Sequence, residues 1–163
     1  MKPTGRLLAG GDLEITRTLR GSVDDVWASL TESSRTARWY GPWRGEAGVG
    51  RTVEVQMSYE EGAPWCDLRI DACEPPRHLA LSSSDQFGNW RMEVWLTGQG
   101  DSTGLRFVQH LDPAGIGADE VGPGWEYYLD MLMAAHHDTA LPDFADYFPA
   151  MRAYYKEQAN QLP

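Results

Sequence analysis

Between residues 12 and 111 apolar positions recur mostly at every second residue, and beyond residue 124 at every third or fourth, so the chain reads as a strand-rich body closed by a helix. The run DLEITRTLRG sets Leu13, Ile15 and Leu19 among polar neighbours and predicts a first strand. Ser22 has the chemistry of a helix N-cap, because its hydroxyl can accept from a free backbone N–H of the first turn. Asp24 and Asp25 complement the positive helix end. Val23, Val26, Trp27 and Leu30 share one face of a short amphipathic helix to about Thr31, and a second helical turn over Ser34–Trp39 must stop before Pro42.

The middle of the chain predicts an antiparallel meander with one dry face. In RTVEVQMSY, Val53, Val55, Met57 and Tyr59 lie on one side, and WCDLRIDA collects Cys66, Leu68, Ile70 and Ala72 before Pro75-Pro76 breaks the strand. HLALSSS supplies a further strand. NWRMEVWLTG aligns Trp90, Met92, Val94 and Leu96, and GLRFVQHLD returns with Leu105, Phe107, Gln109 and Leu111 in register. Residues 112–124 hold four glycines and two prolines and read as a loop. The closing helix is then expected from about Pro123 to Thr139, with Trp125, Tyr128, Leu129, Leu132 and His136 on one stripe and with Glu126 and Asp130 expected to face solvent.

Three segments follow: a flexible N-terminal arm over 1–11, one domain over 12–139, and an aromatic helical extension over 140–163. In the extension Phe144, Phe148, Met151 and Tyr155 recur at helical spacing around Pro149, so this face must pack on the domain or on another chain. A homodimer through the extension is one expectation.

Composition narrows the partners. A formal net charge of -10 repels phosphate backbones and anionic membrane surfaces, so neither nucleic acid nor membrane is an expected partner. No apolar run approaches the roughly 20 residues of a membrane span, and a cytoplasmic protein is the expectation. Cys66 and Cys73, if on one extended strand, stand about 23 Å apart, far beyond disulfide reach. His136 and His137 are adjacent on a helix and point about 100° apart, His-x-x-x-His spacing is absent, and no metal or other cofactor is expected. No Gly-x-Ser-x-Gly elbow, phosphate loop or dinucleotide fingerprint occurs.

Several segments in combination resemble the family named for homology to the activator of the ninety-kilodalton heat-shock protein's ATPase, within the wider START-like (SRPBCC) and polyketide-cyclase group. VDDVWASLTESSRTARWYGP is similar to the family's first helix and its exit at Trp39, Tyr40, Gly41 and Pro42. EPPRHLALSSS is similar to its strand entry, and GPGWEYYLDMLMAA to the start of its closing helix at Gly124, Trp125, Leu129 and Leu132. The resemblance implies an α+β helix-grip fold: a curved antiparallel sheet of six or seven strands wrapped around a long C-terminal helix, with a short helical pair after strand 1. It also implies a cavity under that helix.

Trp39, Tyr59, Trp90, Phe107, Trp125 and Tyr128 are the aromatic candidates for the cavity wall, with Met57, Met92 and Leu132 beside them. Val55, Leu68, Leu129 and His136 share their strand or helix faces and complete the candidate set. Such a wall suits a small hydrophobic or aromatic ligand; the alternative is that the same residues simply fill the core. Two further readings stay open. One is a cyclase, dehydratase or hydrolase in which His136 or Tyr128 shuttles a proton. The other is a chaperone-associated or homodimeric interaction module using the extension.

Overall fold

A computed structural model describes all residues 1–163. Its strands are β1 (Arg6–Leu7), β2 (Leu13–Arg20), β3 (Trp43–Arg44), β4 (Thr52–Gln56), β5 (Trp65–Glu74), β6 (His78–Asp85), β7 (Gly88–Gln99) and β8 (Ser102–Gln109). The helices are α1 (Val23–Thr31), α2 (Ser33–Thr36), α3 (Ala118–His136) and α4 (Arg152–Gln161), with a 3₁₀ turn at Phe144–Asp146. The strands form a single sheet in the order β1-β2-β8-β7-β6-β5-β4-β3, with every neighbouring pair antiparallel. This is the helix-grip arrangement. Its strand count reaches eight because two-residue strands pair at each edge.

Local chemistry explains most of the elements. Ser22 caps α1 by accepting from the Asp25 backbone N–H. Leu13, Ile15 and Leu19 of β2 and Leu105 and Phe107 of β8 are almost wholly buried, which sets the inward face of the sheet against α3. No helix is long and apolar enough to cross a membrane.

Three departures from the sequence reading have identifiable causes. The closing helix begins at Ala118 rather than Pro123, so Gly122 and Pro123 are helical instead of marking a loop. Gly122 is there for space: a Cβ would stand 2.5 Å from the Tyr155 ring. On β5 the register shifts between Ile70 and Ala72, and this bulge turns Cys73 inward in place of Ala72. The segment read as a loose arm contains β1, which pairs with β2, and Gly5 donates its backbone N–H to Glu126. The extension takes the first of its two expected courses and folds back on its own domain, where Tyr147, Met151 and Tyr155 are buried in the main core.

A buried ionic cluster secures that docking. Glu126, expected to face solvent, is 1% exposed. It accepts from Arg17 Nη2 at 2.8 Å, from the Tyr155 hydroxyl at 2.5 Å, and from the backbone N–H groups of Thr4 at 2.6 Å and Gly5 at 2.8 Å. Asp130, one turn along α3, accepts from Arg17 Nε at 2.9 Å and from the Tyr147 hydroxyl at 2.6 Å. Burial pushes the Glu126 carboxyl up, but the hydrogen bonds from Tyr155, Arg17, Thr4 and Gly5 outweigh it and hold the group below its ordinary range.

Candidate functional site

Between the inward face of the sheet and α3 lies a cavity of about 180 Å³. β4 through β8 form its floor, α3 supplies Trp125 and Leu129, and the α1–α2 pair with its exit closes one side with Leu30, Thr36, Trp39, Tyr40 and Trp43. Ala47 lines the cavity and is also exposed, so the segment between β3 and β4 forms a rim. Seventeen of the nineteen lining residues are hydrophobic, which favours an apolar occupant over an ion or a sugar.

The exit of α2 determines much of this shape. A Cβ on Gly41 would fall 1.5 Å from the Gln56 carbonyl oxygen, so only glycine lets the chain run this close to β4. That approach brings Tyr40 and Trp43, on either side of Gly41 and Pro42, to the cavity wall. Indole hydrogen bonds then lock the aromatic wall. Trp39 donates to the Ser29 carbonyl at 2.9 Å, Trp43 to the Thr31 carbonyl at 2.8 Å, and Trp125 to Gln109 Oε1 at 2.6 Å. Phe107 and Trp125 pack with ring centroids 4.4 Å apart.

Of the thirteen residues named from sequence, Trp39, Val55, Leu68, Met92, Phe107, Trp125 and Leu129 lie on this wall. The other six do not. Leu132 is fully buried in the main core, and Met57 lies just past the end of β4, half-buried against the core edge. Tyr59 sits in the turn after β4, exposed, with its hydroxyl donating to the Arg38 carbonyl at 3.0 Å; β4 is shorter than its alternating pattern implied. Trp90 borders a separate small crevice with Gln109 and Val121.

The two proton-shuttle candidates are held by other partners. Tyr128 packs edge-on against Tyr40 and donates its hydroxyl to Glu60 at 3.1 Å. His136 sits at the last turn of α3, where its Nε2–H donates to the Arg20 carbonyl at 2.6 Å and its Nδ1 accepts from the Ser29 hydroxyl at 2.8 Å. A carbonyl can only accept, so this pair of partners assigns the ring proton to Nε2. These contacts join α3 to α1 and β2.

The wall also contains residues that sequence reasoning passed over. Val53, Ile70 and Val94 share the faces of Val55, Leu68 and Met92, so the two-residue period carried them. Leu79 and Leu81 of β6 follow the same rule. Tyr40 and Trp43 had no such signal, since Tyr40 lies in an irregular turn and Trp43 opens the two-residue β3. On the outer face of the sheet Glu93 faces His78 Nε2 at 2.9 Å and His110 Nε2 at 2.5 Å, well apart from the cavity wall.

With this geometry in view, likenesses to known proteins take on structural meaning. The crystal structure of CalU16 from Micromonospora echinospora superposes with a TM-score of 0.73 at 22% identity, covering 97% of this chain and 96% of that one. The protein encoded by BPP1335 of Bordetella parapertussis gives 0.71 at 22% identity over 100% of this chain and 96% of the other. DynU16, from the dynemicin biosynthetic locus, gives 0.66 at 24% identity over 80% of this chain but only 48% of its own length. At such identities the likeness establishes the fold. No curated protein matches the chain. The family model described as "Activator of Hsp90 ATPase homolog 1-like protein" matches residues 20–137, well over half of the sequence, and the chain belongs to that family.

Proposed function

We propose that this protein binds a small hydrophobic or aromatic molecule in the cavity between the sheet and α3. The observation that carries this reading is the cavity itself, about 180 Å³ with a nearly all-hydrophobic wall inside an otherwise packed domain. At ~24 cal/mol per Å³, leaving such a volume unfilled costs a fold roughly 4 kcal/mol. Larger side chains at Leu81 or Val94 would recover only part of that cost, whereas a bound ligand can occupy the whole space. An apolar cavity near 150 Å³ accepts a benzene-sized guest, which sets the scale at about one or two aromatic rings. The structural likeness to DynU16, whose locus is biosynthetic, is compatible with a small-metabolite ligand.

Trp39, Trp43 and Trp125 all stand on the wall and make binding directly observable. Titration with flat hydrophobic probes of one to two rings is expected to quench tryptophan emission saturably and to raise the melting temperature. Flat emission and an unmoved melting temperature across a panel of such probes would refute the reading.

A further inference from the structure

The outer face of the sheet, away from the cavity, carries a row of five groups that ligand binding does not use. In spatial order across β5, β6, β7, β8 and β2 they are Glu74, His78, Glu93, His110 and Asp12, so carboxylates alternate with imidazoles. His110 directly follows β8, and Asp12 directly precedes β2. Strand register explains the row. Glu74 is the cross-strand partner of His78, and Asp12 and His110 extend the pairing of Leu13 with Gln109 by one residue. Glu93 stands opposite Ala80 and Val108, whose short side chains let His78 and His110 reach it from the two diagonal positions.

Every ring nitrogen in the row faces a carboxylate oxygen. His78 Nδ1 lies 3.1 Å from Glu74 and its Nε2 2.9 Å from Glu93, while His110 Nδ1 lies 3.0 Å from Asp12 and its Nε2 2.5 Å from Glu93. An ionised carboxylate only accepts, so these four contacts call for four N–H groups, and two neutral imidazoles supply two. The row is therefore complete only when both rings are cations. No three histidine, cysteine or acidic side chains are placed to hold a metal ion. Burial draws the His78 titration down, but the hydrogen bonds and charges of Glu74 and Glu93 outweigh it and set it above the ordinary histidine value. The arginines on this face keep their charge throughout. Arg106 lies over the Trp95 ring that stacks on His78 and is paired with Glu14, which it shares with Arg6, and Arg91 stands two residues along β7 from Glu93.

We propose that this row is a proton-operated clasp across the back of the cavity. Protonated, it ties five strands together through alternating charges; loss of a proton from either histidine sets a ring lone pair against a carboxylate and loosens the sheet. Three of its members stand one residue from a cavity-wall side chain: Glu74 beside Cys73, His78 beside Leu79, and Glu93 between Met92 and Val94. The strands it ties are thus largely those of the cavity floor. Because folding raises the His78 value, its contribution is fully present below the unfolded histidine value, about 6.5, and is lost as pH rises through the folded one. The clasp operates whether or not the cavity holds a ligand.

The test combines histidine ring-proton NMR with urea unfolding at pH 6 and pH 9, on the wild-type chain, on Glu93→Gln and on His78→Phe. The His78 resonance is assigned by its loss in His78→Phe, which keeps an aromatic ring beside Trp95 but cannot take up a proton. In the wild type His78 is expected to titrate above the ordinary histidine value, and in Glu93→Gln to move down toward it. The wild-type urea midpoint is expected to fall by about 0.5 M from pH 6 to pH 9. Both variants should show a clearly flatter response. A His78 titration at or below the ordinary value overturns the clasp, and so does an equal fall in midpoint for all three proteins. Either failure leaves the cavity reading standing, because none of these measurements uses a ligand.

Discussion

Trp125 and Leu129 on one flank of α3 face a cavity, while Glu126 and Asp130, each one residue further along, meet Arg17 and two tyrosines in a buried ionic cluster. A step of one residue turns a helical side chain by about 100°, enough to separate two jobs on one element. The ionic flank is saturated: every strong group has a partner, and those partners come from β2, the N-terminal segment and the C-terminal extension. The cavity flank is open, with space bounded by apolar side chains. The lesson is that this domain invests its polar bonding in holding the helix in place, so that the opposite flank can stay unfilled without collapsing.

The sharpest way to break this contrast is Glu126→Ala. It strips Arg17 of its most buried counter-charge and frees Tyr155, Thr4 and Gly5, so unfolding in urea is expected to show a loss of about 3 kcal/mol, with Asp130 still partly compensating Arg17. Narrowing the cavity with Leu81→Phe is expected to leave stability within about 1.5 kcal/mol of wild type. The same variant should abolish quenching by a two-ring probe, which dye titration reads directly.

A smaller effect concerns acid. Because Glu126 is held below its ordinary range in the folded chain, its contribution is fully present above the unfolded carboxylate value and is lost as pH falls through the folded one. Stability measured from pH 7 downward should therefore decline below about pH 4 less steeply in Glu126→Gln than in the wild type. An identical pH profile for the two proteins would show that the cluster does not depend on this charge.

Both flanks were partly legible before the structure. The two-residue period located the inward faces of β4, β7 and β8, and the helical period placed Trp125 and Leu129 toward the sheet. That period also carried Tyr128, Leu132 and His136 to the same side, but an apolar stripe on a helix is wide. Only its neighbours decide which part meets space and which meets packed core. Glu126 and Asp130 read as solvent-facing carboxylates because charged residues are seldom buried, and their partners lie more than a hundred residues away in sequence at Arg17, Thr4 and Gly5.

What the amino-acid sequence determined by itself is the set of faces: the meander's dry side, the amphipathic first helix with its Ser22 cap, and the closing helix, all consequences of local period and backbone chemistry. What only the tertiary structure decided is where those faces leave a gap. The β5 bulge that turns Cys73 inward, the contact at Gly41 that brings Tyr40 and Trp43 to the wall, and the docking of Tyr155 over Gly122 each arise between distant segments. No local pattern encodes such meetings, because a cavity is the space that several packed elements fail to fill together.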